Sequence, residues 1–203
     1  MKIVSPELQE MLEQKKPVAI EFGSGDRPRD GFFHIDLVEM DRVDVVADLN
    51  DPLSCFPDDS VIEIYAHHVL EHVRNFIQLM QEVHRVCMRD STVTIVVPHY
   101  SNQLAYSDPT HVRFFGLYTM CYFVERVFQP FKRKVPDFYI KEKFLLCEVV
   151  YDFEPKNTFW GRLFTRRVQL FINANPKRQE FYERYLCRFF PVASVRYVLS
   201  PVK

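Results

Sequence analysis

A buried strand that ends in an acidic, glycine-punctuated turn constrains this chain more than any other feature: Val18-Ala19-Ile20-Glu21-Phe22-Gly23-Ser24-Gly25. Two more strand-like segments follow at short range, His34-Ile35-Asp36-Leu37 and Val45-Val46-Ala47-Asp48-Leu49, and each also runs into a carboxylate. Short apolar strands ending in Asp or Glu suit a site at the carboxyl edge of a parallel sheet, where loops collect ligands. Carboxylates there can accept hydrogen bonds from ribose hydroxyls, adenine or an ammonium group. The ligand class this pattern points to is an adenosine-containing cofactor.

The remaining elements follow from local signals. Ser5-Pro6 ahead of Glu7, Leu8, Met11 and Leu12 predicts a capped N-terminal helix, ended by Lys15-Lys16-Pro17. Strands are expected at Val18–Phe22, Phe32–Asp36, Asp44–Ala47, Val61–Ala66 and Thr92–Val97. The last of these is a β-branched, uncharged run, as a central strand buried on both faces requires. A long helix is predicted from His68 to Val86, because Leu70, Val73, Ile77, Met80 and Val83 recur at helical spacing. Phe114–Phe128 reads as an aromatic-rich helix and Phe144–Phe153 as a strand. Asn175-Pro176 opens a last helix with Phe181, Tyr185 and Phe189 on one face, and Ser194–Leu199 closes the chain as a strand. The links Gly25–Phe32 and Leu37–Val43 are too short for a crossover helix, which takes about a dozen residues. Either the sheet is trimmed on one face there or these strands pair less regularly.

A chain of 203 residues is expected to form one domain around one core. Its five cysteines form no CxxC pair, which suits free thiols in a reducing compartment. No apolar run approaches a membrane span, and the start Met1-Lys2-Ile3-Val4 lacks a signal-peptide core, so an intracellular, cytoplasmic protein is expected. The net charge of −1 conceals an asymmetry: residues 1–110 hold 9 Lys+Arg against 19 Asp+Glu, and residues 111–203 hold 17 against 8. Either the basic half faces an anionic partner or the two halves attract each other within one domain.

Taken in order, these motifs resemble class I S-adenosylmethionine-dependent methyltransferases, of the type 11-like group, over roughly residues 17–125. Glu21-Phe22-Gly23-Ser24-Gly25 is similar to the family's first motif. The resemblance implies that Gly23 and Gly25 admit the methionine part of S-adenosyl-L-methionine, and that Glu21 supports that loop or the cofactor ammonium. Asp36 is implied to hold the ribose hydroxyls, Asp48 and Leu49 to bracket adenine, and His67 to sit near the methionine part. Pro57-Asp58-Asp59-Ser60 and His68-Val69-Leu70-Glu71-His72-Val73 resemble the turn before the family's fourth strand and the helix opening after it. Pro98-His99 and Asp108-Pro109-Thr110-His111 resemble elements that follow its fifth strand. The implied fold is α/β: a Rossmann-like, mostly parallel sheet with a C-terminal antiparallel hairpin. Its core would occupy about 17–153 and 192–203, with a helical, aromatic-rich insertion at about 154–191.

Methyl transfer asks the protein to align a nucleophile and, where necessary, remove a proton. His99, Asp108 and His111, with Tyr100 beside them, are the residues expected to serve an acceptor, which would be a small molecule or a lipid-linked or glycan precursor. The alternative task for Asp108 is to cap a following helix, and for His111 to pack against aromatics. Phe159-Trp160-Gly161-Arg162-Leu163-Phe164-Thr165-Arg166-Arg167 pairs aromatics with positive charge. It suits a membrane interface, an anionic surface or nucleic acid, or else a core-packing helix with solvated arginines.

Other readings are weaker. A nicotinamide fingerprint wants a glycine at position 28, where Pro28 stands. His68-Val69-Leu70-Glu71-His72 fits the H-x-x-E-H zinc-hydrolase pattern, but it follows a strand directly and no downstream third ligand stands out, so no metal is expected. Arg27 replaces the first motif's usual third glycine, and Arg89-Asp90-Ser91-Thr92 replaces a common glycine pair. These departures leave a second function open, that of a non-catalytic module binding a cofactor or an anionic partner.

Overall fold

A computed structural model of the chain describes residues 1–25, 28–154 and 158–203; Arg27 lies outside them. Among the described residues eight strands form one sheet: β1 (Lys2–Ile3), β2 (Val18–Phe22), β3 (Phe33–Asp36), β4 (Val45–Val46), β5 (Val61–His67), β6 (Cys87–Pro98), β7 (Lys143–Asp152) and β8 (Ser194–Val202). They lie in the order β1-β4-β3-β2-β5-β6-β8-β7. The five strands from β4 to β6 run parallel, β1 joins antiparallel at one edge, and β8 inserts antiparallel between β6 and β7. The expected α/β sheet with its C-terminal antiparallel pair is the sheet observed. Parallel pairing brings the carboxyl ends of β2, β3, β4, β5 and β6 to one edge, and that edge carries the site.

The short links hold no helix among the described residues, yet β2 pairs β3 in register (Ile20 with Phe33, Phe22 with Ile35) and β3 pairs β4. Of the two possibilities left open by the sequence, regular pairing with a trimmed face is the one adopted. Helix α1 (Pro6–Glu13) begins as predicted, with Ser5 Oγ accepting the Leu8 N–H at 3.3 Å.

The long helix expected from His68 to Val86 is broken. His68 takes a φ of +54°, Leu70–His72 form a single 3-10 turn, and Val73 is extended. Helix α2 covers only Phe76–Val86. Its start is fixed from outside, because Asn50 Oδ1 accepts the N–H groups of Arg74 and Asn75 at 2.8 and 3.1 Å. The inner face is therefore Phe76, Leu79, Met80, Val83 and Val86, and Ile77 is left 40% exposed. Arg85 pins α2 to the loop before β5, donating to Leu53 O, Phe56 O and the Asp58 carboxylate as well as to Glu82.

Phe114–Phe128 is not a helix either: one 3-10 turn, Thr119–Phe123, interrupts an irregular run. Buried Gln129 replaces the helical ladder. Its amide donates to the carbonyls of Cys121, Val124 and Val135 and accepts the Val135 N–H, so these backbone groups are satisfied without helix.

Between β7 and β8 lie α4 and α5 of the expected insertion, preceded in the chain by the four-residue α3 (Leu104–Ser107). Helix α4 (Phe159–Asn173) packs on the core only through its C-terminal half, where Ile172 is buried and Val168 half-buried, whereas Phe159, Trp160 and Phe164 are exposed. Helix α5 (Pro176–Phe181) widens into a π turn over Tyr182–Leu186. The predicted apolar face of Phe181, Tyr185 and Phe189 points to solvent, and Gln179, Tyr182 and Cys187 face the core instead. The widened turn shifts the inward positions away from simple helical spacing.

Candidate functional site

Loops after β2, β3, β4 and β5 enclose a cleft of about 370 Å³ at the carboxyl edge of the sheet. Gly23, Gly25, Asp36, Asp48 and Leu49, five of the seven residues implied to hold a cofactor, line it. Gly23 has a φ of +67°, and a side chain there would meet Val69 at 2.8 Å, so glycine lets the first loop lie against the loop after β5. Gly25 donates its N–H to Asp36 Oδ2 at 3.2 Å, and the Val38 N–H binds Asp36 Oδ1 at 3.2 Å. The Asp36 carboxylate is thus oriented by backbone at the mouth of the cleft. Asp48 Oδ1 accepts from both the N–H and the amide of Asn50 at 2.8 Å, and Asn50 Oδ1 in turn accepts from the Arg74 and Asn75 N–H groups just ahead of α2. A chain of short-range bonds therefore ties the third carboxylate loop to the helix below it.

Glu21 and His67 do not line the cleft. Strand alternation explains both. Ile20 and Phe22 share the core face with Ile64 and Ala66, their register partners, so Glu21 faces the other way beside Tyr65 and His34. There Glu21 Oε2 accepts the Arg29 N–H at 2.8 Å, and His34 Nδ1 approaches the same oxygen at 3.0 Å, off the line of a hydrogen bond. Of the two tasks implied for Glu21, bracing the loop is the one its position allows. Two carboxylates, not three, meet at the cleft. His67 stacks on Tyr65 and is exposed on that same outer face. Its neighbour His68, with a left-handed φ of +54°, lines the cleft. Burial pushes the His68 imidazole down to about 4, with His67, His111 and His72 nearby adding to the effect.

The residues expected to serve an acceptor divide. His99 is fully buried, and both ring nitrogens are engaged: Nδ1 accepts the Ser101 N–H at 3.1 Å, which leaves Nε2–H to donate to Glu183 Oε2 at 2.9 Å. It cannot reach a bound acceptor, and its position is that of a strut. Asp108 caps no helix; its Oδ1 accepts the N–H and hydroxyl of Thr110 at 2.8 and 2.5 Å, bonds that hold its carboxyl below the usual range. His111 packs edge-on against His72, with ring centroids 4.7 Å apart, and Thr110 Oγ1 lies 2.9 Å from His72 Nδ1. Since His72 lines the cleft, Asp108 and His111 stand just behind its wall.

A larger hollow of about 790 Å³ opens between Tyr100, Tyr118, Lys132, Arg133 and the α5 segment Glu180–Tyr185. Glu183 anchors it, accepting from His99, from Tyr151 at 2.5 Å and from the Leu117 N–H at 3.0 Å. Burial pushes the Glu183 carboxyl up, but the bonds from His99, Tyr151 and Leu117 outweigh it and hold the group below the ordinary range.

Sequence reasoning missed Asn50 and Glu183, and it quoted His68 and Val69 only as part of a helix opening, not as cleft residues. Asn50 sits two residues past Asp48, the Asx-turn spacing that could have flagged it. Nothing local marks Glu183, whose partners are far away in the chain.

No protein-family model matches the sequence, and no curated relative matches it either. Solved structures do match over almost the whole chain. One is the complex between the Haloferax volcanii Trm112 methyltransferase activator and a protein assigned as a methyltransferase, 12% identical, covering 97% of this chain and 89% of that chain, with a TM-score of 0.53. A second is a protein of Bacillus halodurans, assigned as a methyltransferase, 14% identical, covering 96% of each chain at a TM-score of 0.51. The YcgJ protein of Bacillus subtilis is 14% identical over 97% of each chain, at 0.50. At this identity the likeness is one of fold: this chain shares its α/β architecture with structures of which two are assigned as methyltransferases.

Proposed function

We propose that this chain binds S-adenosyl-L-methionine in the 370 Å³ cleft and transfers its methyl group to an acceptor. The observation that carries the reading is the meeting of Asp36, Asp48-Leu49 and the Gly23–Gly25 turn around one cavity at the carboxyl edge of a parallel sheet. A ribose placed at Asp36 would find a carboxylate already oriented by two backbone N–H groups. Adenine would lie against Leu49 with Asp48 and Asn50 at its edge, and the methionine part would run along Gly23 and Gly25.

With the cofactor bound, the chemistry is a displacement at its sulfonium methyl carbon. This chain's part is to hold the nucleoside, exclude water and present the acceptor. Asp108 and His111, behind the cleft wall, would orient an acceptor, and Asp108 would accept a proton where one is released; His99 and Glu183 would keep the separate 790 Å³ hollow in shape.

A second reading, a cofactor-binding module without turnover, is favoured by the full burial of His99, which removes one expected acceptor residue. For partners, no helix among the described residues is long and apolar enough to cross a membrane. The exposed Phe159, Trp160 and Phe164 of α4, interleaved with Arg162, Arg166 and Arg167, favour an anionic surface or a lipid-linked acceptor. Binding to anionic vesicles that weakens with salt would support that surface, and salt-insensitive or absent binding would remove it.

Titration with S-adenosylmethionine and S-adenosylhomocysteine, followed by assay of S-adenosylhomocysteine release across acceptor panels, separates the readings. Binding with turnover supports the enzyme, binding without turnover the module, and no binding defeats both.

A further inference from the structure

Behind the wall of the cleft lies a buried carboxylate that no hydrogen-bond donor among the described residues satisfies. Glu71, in the 3-10 turn after β5, is 1% exposed, and neither of its oxygens receives a hydrogen bond. A carboxylate stripped of water and left without a donor is strongly disfavoured, and such groups are normally paired or bound to a metal.

What surrounds it is imidazole. His111 Nε2 lies 3.9 Å from Glu71 Oε1 and His68 Nδ1 lies 3.8 Å from it, in each case too far for a hydrogen bond. One oxygen of Glu71 and one ring nitrogen each of His72 and His111 fall within 4.8 Å of one another. We propose that Glu71, His72 and His111 form a binding site for a first-row divalent cation such as Zn²⁺, at the wall of the nucleoside cleft.

The donor set and spacing suit such an ion. Zinc takes imidazole nitrogen and carboxylate oxygen at about 2.0–2.2 Å, so donors around a tetrahedral ion stand roughly 3.3–3.5 Å apart. The observed donors, within 4.8 Å of one another, would have to draw together by about 1 Å on taking up the ion. The supporting contacts are those that position metal-bound histidines. His111 Nδ1–H donates to Ala105 O at 2.9 Å, which fixes the lone pair on the Nε2 that faces Glu71. Thr110, bonded to Asp108, holds the His72 ring at 2.9 Å. The Val112 N–H binds Glu71 O at 2.9 Å and locks the two segments together.

This site departs from the sequence expectation of no metal, and the reason is geometric. H-x-x-E-H binds zinc when both histidines share one helix face. Here the left-handed His68 and the single 3-10 turn abolish that face, and His111, 39 positions beyond His72, supplies the second imidazole instead. Three protein donors leave at least one coordination position for water or an incoming oxygen. His72 also lines the cleft, so an acceptor completing the coordination there would carry a hydroxyl or carboxylate oxygen. Only that last clause rests on the proposed methyl transfer; the cation site does not.

The test uses Co²⁺ as a spectroscopic probe on the full chain after chelator treatment and dialysis. We expect one equivalent of Co²⁺ to bind with visible d–d absorption, and one equivalent of Zn²⁺ to displace it. Glu71→Gln and His111→Ala should each weaken binding by at least about 10-fold. His84→Ala should leave it unchanged, since that ring bonds Val202 O far from the cluster. Circular dichroism and a urea midpoint on each variant establish folding; Glu71→Gln removes a buried uncompensated charge and is expected to stay folded. Absence of saturable Co²⁺ binding, or binding that survives in folded Glu71→Gln, overturns the site. A parallel S-adenosylhomocysteine titration keeps the two readings apart: nucleoside binding without cobalt sinks only the metal, and cobalt without nucleoside sinks only the cofactor.

Discussion

Gly23 and Val69 approach so closely that a Cβ on Gly23 would stand 2.8 Å from Val69 Cβ and Cγ2. This contact closes the cleft between the first loop and the loop after β5. It sits at a φ of +67°, so a side chain is opposed both by sterics and by backbone conformation.

Gly23→Ala is therefore expected to destabilise the fold by about 2–4 kcal/mol, combining overpacking with left-handed strain. Gly25→Ala meets nothing within 4 Å and bears only the strain, so its effect should be about 1–2 kcal/mol. Urea unfolding of the pair checks the ranking. Equal losses would show that the Val69 contact contributes nothing.

Asp36→Ala should weaken S-adenosylhomocysteine binding by about 10- to 100-fold, the worth of hydrogen bonds to a charged acceptor, while shifting stability by less. Calorimetric titration reads the first effect and urea unfolding the second. Glu21→Gln should behave in the opposite sense, because Glu21 braces the loop at Arg29 from the other sheet face.

Asn50→Ala removes the acceptor that starts α2 and the partner of Asp48 together. A stability loss of about 1–2 kcal/mol is expected, as for a lost helix cap, accompanied by weaker nucleoside binding. A loss of stability with unchanged affinity would mean that the Asp48 loop keeps its shape without Asn50.

Glu183 gives the fold an acid-sensitive strut. Its carboxyl is held below the ordinary 4.5 despite burial, by His99, Tyr151 and the Leu117 N–H. A depressed carboxyl contributes stability that is fully present above its unfolded pKa and is lost as pH falls through the folded value. Stability of the native protein should therefore decline below about pH 4.5, the unfolded value. Glu183→Gln should flatten that decline while lowering stability at pH 7 by about 1.5–3 kcal/mol, the worth of hydrogen bonds to a charged acceptor. An unchanged acid limb in the variant would assign the pH dependence elsewhere.

Much of the sheet was legible because its signals are local. The apolar runs at Val18–Phe22, Val61–Ala66 and Thr92–Val97, and the carboxylates that end β3 and follow β4, need only period and punctuation to be read. The helix from His68 was misread because what ends it is remote: Asn50, more than twenty residues upstream, dictates where α2 starts. Phe114–Phe128 failed for a related reason, since Gln129 satisfies its backbone from beyond the segment. His67 lies on the outer face with Tyr65, opposite Ile64 and Ala66, whereas His68 lines the cleft; period-2 alternation along β5 separates the two. Glu71 drew notice as part of a helical pattern, but its isolation among imidazoles exists only once His111 folds back onto it.

A crystal structure of the chain with S-adenosylhomocysteine tests the cofactor reading most directly. We expect the ribose hydroxyls on the Asp36 carboxylate and the adenine beside Leu49 and Asp48. Density for the nucleoside in the hollow beneath Tyr100 and Tyr118, or none in the cleft at saturating ligand, would contradict it.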